Sequence, residues 1–170
     1  MSAHTPAFRI VALPAEPFAP LFELDDGALA ARGIRRCTAD HPLAYPCRVS
    51  LQNAAVGEEV LLLPFEHHAT ASPYRASGPI FVRRGAVRAD FAVDEVPPQF
   101  RRKRLSVRAY NHDGDLVRAD VVTGDALESC VSGMLEVSEV DCLHLHHAGH
   151  GCYLCRVERA DRVSAEAAPA

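Results

Sequence analysis

Residues 142–155 hold Cys142, His144, His146, His147, His150, Cys152 and Cys155, three of the six cysteines and four of the nine histidines of the chain. Thiolates and imidazoles are the side chains that most often ligate transition metals, and paired they act as nucleophile and base. The Cys152-Tyr153-Leu154-Cys155 spacing suggests a chelate or a redox couple. In an extended strand, however, such positions face opposite ways with Cα atoms ~10 Å apart. A disulfide requires less than ~7 Å. The pair can chelate only if Cys152 belongs to a turn.

Strand alternation divides the segment into two faces. Cys142, His144 and His146 share one. A hairpin with Gly149-His150 as its two-residue loop puts His144 opposite Cys155, so Cys142, His144, His146 and Cys155 could converge on a tetrahedral zinc. The other face sets His147 opposite Cys152, where an imidazole would lower the thiol pKa. A third reading makes the cysteines small core residues and the histidines the wet face of an edge strand. All three stay open on the residues alone.

Other residues could take part. Cys47 follows a proline turn and precedes Arg48, whose charge would activate a thiol. The loop Ser72-Pro73-Tyr74-Arg75 offers hydroxyls, a cation and flexible backbone. Arg48, Tyr74 and Arg75 are therefore the residues placed to orient a small anionic ligand. That loop lacks the spacing of a phosphate loop or dinucleotide fingerprint, and no cofactor is assigned. Arg108 could join such a site, although Asp120 is its expected cross-strand partner. Glu66-His67-His68 reads as a polar strand end, with acid/base work as the alternative.

These residues need a frame. Residues 59–65, 80–83 and 86–93 read as strands, followed by a hairpin from 105–110 and 116–122 about a turn at Gly114. Leu105, Val107 and Ala109 share its apolar face, matched by Val117, Ala119 and Val121. Asp26 is placed to cap a short helix ending before Gly33. Asp125 and Glu128 resemble a capping box, and Leu127, Cys130, Val131, Met134 and Leu135 follow helical spacing. The expected fold is α+β, a mainly antiparallel sheet free to curl toward a barrel, with two or three helices packed on one side. Flexible termini at 1–6 and 160–170 flank a single domain at 7–159, a size that supports an ordinary core.

Composition narrows the function classes. The chain is 48% apolar and 24% charged, as in globular proteins, and no apolar run reaches the ~20 residues of a membrane span. The first residues lack the basic and apolar regions of a secretory signal, so a cytoplasmic address with reduced thiols is expected. A net charge of −4 argues against coating nucleic acid, and Arg101-Arg102-Lys103-Arg104 reads as a solvated turn. The expected partner is a small molecule, with neither nucleic acid nor membrane.

Taken together, Tyr45-Pro46-Cys47-Arg48, Gly57-Glu58, Ser72-Pro73-Tyr74-Arg75, Gly78-Pro79-Ile80-Phe81, Arg108-Ala109-Tyr110 and His147-Ala148 with Gly151-Cys152, leading into Arg156-Val157 and Arg159, resemble a bacterial family known as domain of unknown function 1203. The resemblance spans most of the chain. It implies no established activity and transfers no catalytic residue. It does set His147, Gly151 and Cys152 inside the shared pattern and leaves Cys142, His144, His146, His150 and Cys155 outside it. The working site is thus Cys47 and Cys152 as thiols with His147 as proton acceptor. The alternative is a zinc-stapled or purely structural interaction module.

Overall fold

A computed structural model describes residues 5–161. The expected termini at 1–6 and 160–170 lie largely outside the described residues. Within them are strands β1 (Ala7–Val11), β2 (Arg35–Thr38), β3 (Glu59–His68), β4 (Ala76–Arg83), β5 (Arg104–Tyr110), β6 (Leu116–Thr123), β7 (Cys142–His147) and β8 (Tyr153–Ala160). Two helices accompany them, α1 (Asp26–Ala30) and α2 (Leu127–Leu135). The strands form a five-stranded sheet in the order β1-β8-β7-β5-β6 and a three-stranded sheet in the order β2-β3-β4. Every ladder is antiparallel and neither sheet closes on itself. The α+β expectation holds, as two open sheets rather than a barrel.

Period decides what each sheet buries. On β5 and β7, Leu105, Val107, Leu143 and Leu145 are fully buried. They meet Leu127, Val131, Met134 and Leu135, the apolar stripe of α2. The capping box is corrected: Leu127 follows a 3-10 turn at Gly124–Ala126, no side chain caps α2, and Glu128 pairs with Arg101. The cap of α1 is Asp25, one residue before the expected Asp26, and its carboxylate accepts from Ala28 N at 2.7 Å. Phe18, Phe22, Leu29, Leu61, Leu63, Ile80 and Val82 form a second core under the smaller sheet. Residues 86–93, expected as a strand, run irregularly, with Ala89 N donating to Val49 O at 2.8 Å and an isolated bridge from Asp90 to Val11.

The hairpin from β5 to β6 departs from its expected register. Tyr110 pairs with Leu116 but Ala109 with Arg118, so Val117 is an inserted residue. Arg108 then lies opposite Ala119, and Asp120 opposite Val107. A β-bulge shifts all later pairs by one, which inverts the side chains brought together.

Among the described glycines, Gly124 is the most tightly enclosed by backbone. A Cβ there would stand 1.9 Å from Phe100 O and 2.6 Å from the Arg101 Cα, backbone atoms that no rotamer change can move. Gly124→Ala is expected to cost about 3 kcal/mol through overpacking. That is roughly a 10 °C fall in thermal midpoint for a domain of this size. An unchanged melting curve would show that the chain turn at Phe100 yields freely.

Candidate functional site

The polar face of β7 looks away from α2, and the end of β3 covers it. On β7, His144 is 1% exposed and His146 0%. On β3, Glu66 pairs with Ser77 and His68 with Ala76, which leaves His67 as an inserted residue. That bulge re-aims the His67 ring toward β7. The His67 ring centroid lies 5.0 Å from that of His146 and 6.1 Å from that of His144. It stacks on the Tyr153 ring at 5.1 Å and 5°. One ring nitrogen from each of His67, His144 and His146 comes within 4.8 Å of the other two.

Two sets of hydrogen bonds flank the cluster. At one end, His68 Nε2 donates to Gly114 O at 2.8 Å and Thr70 Oγ1 to Asp113 O at 3.1 Å, which fastens β3 to the turn between β5 and β6. At the other, the Arg48 guanidinium, 3% exposed, donates from Nε to Tyr153 O at 2.6 Å and from Nη1 to Pro46 O.

Burial sets the charge of the cluster. It pushes His144 down to about 2, helped by His68 and His146. Burial, with Arg108 next, lowers His67 to about 4. Burial lowers His146 to about 4, partly opposed by its hydrogen bond to Gly151. All three imidazoles are therefore neutral at neutral pH, the form that ligates a metal. His67 Nδ1, His144 Nδ1 and His146 Nε2 are buried without a hydrogen-bond partner. A buried unpaired polar atom costs about 1–3 kcal/mol, so three on neighbouring rings call for an explanation. His146 Nδ1 faces Gly151 O at 2.9 Å. A carbonyl only accepts, so Nδ1 carries the proton and Nε2 keeps its lone pair. This is the outer hydrogen bond that fixes the tautomer of a metal-binding histidine.

The cluster opens on a cleft of about 340 Å³ lined by Glu66, His68, Cys142, His144 and Arg156 among others. Arg156 stands opposite His144 and pairs with Glu158 at 2.7 Å and Asp141 at 3.5 Å. Glu66 is held by Arg75 at 2.5 Å.

The expected zinc set is not formed. His146 pairs with Tyr153 but Leu145 with Cys155, so Leu154 is an inserted residue. The expected register holds through His147, whose N–H donates to Cys152 O at 2.9 Å, and fails beyond the bulge. Arg156, not Cys155, lies opposite His144, and Cys155 is buried among Leu143, Leu145 and Val157. Its thiol is pushed up by burial. Cys142 is buried and lines the cleft, its thiol also raised by burial.

The other expected site residues are spread out. Cys47 packs in the second core, its Sγ accepting from Arg83 N at 3.5 Å. Burial lowers the pKa of Arg48, opposed by its electrostatic interaction with Cys152 and Cys47. His147 and Cys152 sit at the hairpin tip, where the His147 ring is 5.0 Å from that of His150 and Cys152 Sγ is 3.9 Å from His150 O. Tyr74 is 47% exposed, and Arg75 is engaged by Glu66. The sequence reading set His67 with Glu66 and His68 as a polar strand end or acid/base group and did not join it to His144 and His146. The available signal was three successive polar residues, Glu66-His67-His68, closing an apolar strand, since alternation must send at least one of them inward.

Fold and site define an α+β protein whose two antiparallel sheets meet at a histidine-lined cleft. The chain belongs to the family described as protein of unknown function, DUF1203, whose model matches residues 44–159 and so includes all three clustered histidines. No curated protein and no solved structure matches it. Among the described residues, no helix is long and apolar enough to cross a membrane.

Proposed function

We propose that His67, His144 and His146 form a binding centre for a divalent transition metal of the zinc class, and that the protein binds a small molecule at that centre from the cleft side. The observation that carries this reading is the convergence of three neutral imidazoles, each with a buried, unpaired nitrogen. Three protein ligands leave the fourth tetrahedral position free, which distinguishes a reactive centre from a closed structural one. On an ion with bonds of ~2.0–2.1 Å, ligand nitrogens stand about 3.4 Å apart. The 4.8 Å spacing thus requires a modest closing of the rings. Nitrogen-only ligation suits zinc, copper, nickel and iron, and disfavours magnesium and calcium. Such an ion polarises a bound ligand or draws the pKa of a bound water toward ~7.

Here the working groups of the small-ligand reading are imidazoles from the face of His144 and His146. The protein expressed without a histidine tag and dialysed should carry or take up about one zinc per chain, read by elemental analysis and by titration. Substoichiometric metal together with no zinc uptake at micromolar concentration would remove the proposal.

A further inference from the structure

We infer that the open position of this centre takes a small oxyanion, and that Arg108 is the residue that holds the second oxygen. The inference rests on the metal reading and goes beyond it by naming the ligand class and a specificity residue.

Arg108 lies directly opposite His144 in the ladder between β5 and β7, so the two side chains leave the same face of the sheet. On its other flank the bulge at Val117 brings Ala119 where an acid was expected. Its polar contacts within the chain are with neutral hydroxyls, Ser106 Oγ at 3.4 Å from Nε and the side chain of Tyr110. Among the described residues, no carboxylate forms an ion pair with it. The acids around the cleft are already engaged: Glu66 by Arg75, Asp141 and Glu158 by Arg156. His146, opposite Ser106, leaves that same face, so Arg108 shares it with two of the clustered histidines.

A dication among three neutral imidazoles, beside a guanidinium whose partners are neutral hydroxyls, would leave a concentration of positive charge with no internal counterion. An anion shared between the two removes the repulsion. A guanidinium presents a planar fork of donors that matches the two oxygens of a carboxylate or phosphate. An oxyanion can therefore give one oxygen to the metal and another to Arg108. The ligand class is a small phosphate or carboxylate compound, since a cleft of about 340 Å³ lies near the lower end of small-molecule sites.

The test uses the full chain loaded with cobalt(II), whose visible spectrum reports its ligands, and inorganic phosphate and acetate as separate probes. We expect each effective oxyanion to shift the cobalt bands saturably, and the metal-free protein to bind it at least about tenfold more weakly. Arg108→Gln should keep cobalt affinity within about threefold while raising the half-saturating oxyanion concentration at least about tenfold. Arg108→Lys, a point charge without the fork, should fall between the two. Arg118→Gln, which removes a charge from β6, should behave as the parent. Cobalt uptake with no spectral response to either probe overturns the oxyanion inference and leaves the metal centre standing. An equal response in Arg108→Gln also overturns it. Failure to bind cobalt or zinc at all removes the metal reading, and this inference with it.

Discussion

His144→Ala and His146→Ala proteins should lose zinc affinity by at least about 1000-fold, the effect expected when one of three protein ligands on a four-coordinate ion is deleted. His67→Ala should match them, although it lies on the other sheet and outside the segment crowded with cysteine and histidine. His150→Ala should bind zinc as the parent does, because its ring lies at the exposed hairpin tip against His147. Zinc at a hundredfold excess over its dissociation constant should raise parental stability by about 2.7 kcal/mol. For a chain of this length that is a gain of about 5–10 °C in thermal midpoint. The three alanine variants should show no such gain. Equal zinc affinity in His67→Ala would break the trio and return the centre to β7 alone.

The metal-free protein should also lose stability steeply in mild acid. The three clustered histidines are held below the ordinary imidazole pKa, to about 4 for His67 and His146 and about 2 for His144. In the unfolded chain each returns to ~6.5. The unfolded state thus takes up protons first as pH falls. Stability is fully present above the unfolded pKa and is lost progressively below it, ending near the folded values. At pH 5 buried His144 and His146 have each withdrawn about 2 kcal/mol, and half-buried His67 no more than that. With coupling among the rings, the sum stays below about 6 kcal/mol, still comparable with the ~5–15 kcal/mol of a whole domain. Urea midpoints measured from pH 7.5 to 5 should fall throughout, and zinc should delay the fall because it competes with the proton for the same nitrogen. A flat profile in metal-free protein would mean that these rings are solvated rather than buried.

The family was legible in the sequence, and so was much of the frame. Alternation on residues 142–147 was enough to set Cys142, His144 and His146 on one face, because period two survives wherever the strand is regular. Helical spacing over Leu127 to Leu135 likewise placed α2 on the sheet. The pairing of His147 with Cys152 followed from the turn residues, since loop length fixes the first rungs of a hairpin.

Three inserted residues, His67, Leu154 and Val117, shape the part of the site that alternation alone misses. Each is one bulge, and each changes which side chains meet. The bulge at Leu154 removes Cys155 from the histidine face and substitutes Arg156. The turn that pairs Tyr110 with Leu116, together with the bulge at Val117, sets Ala119 rather than Asp120 opposite Arg108. The bulge at His67 supplies the third imidazole from the second sheet. A bulge leaves little local mark in composition, because it is selected by burial across the sheet rather than by the propensity of the residue that bulges. The sequence by itself determined the kinds of ligand present and the face that carries two of them. Only the tertiary structure decided that a third histidine joins them, that Cys155 belongs to the core, and that Arg108 is left without an acid. Those three outcomes depend on how distant strands bury one another, and no local period encodes that.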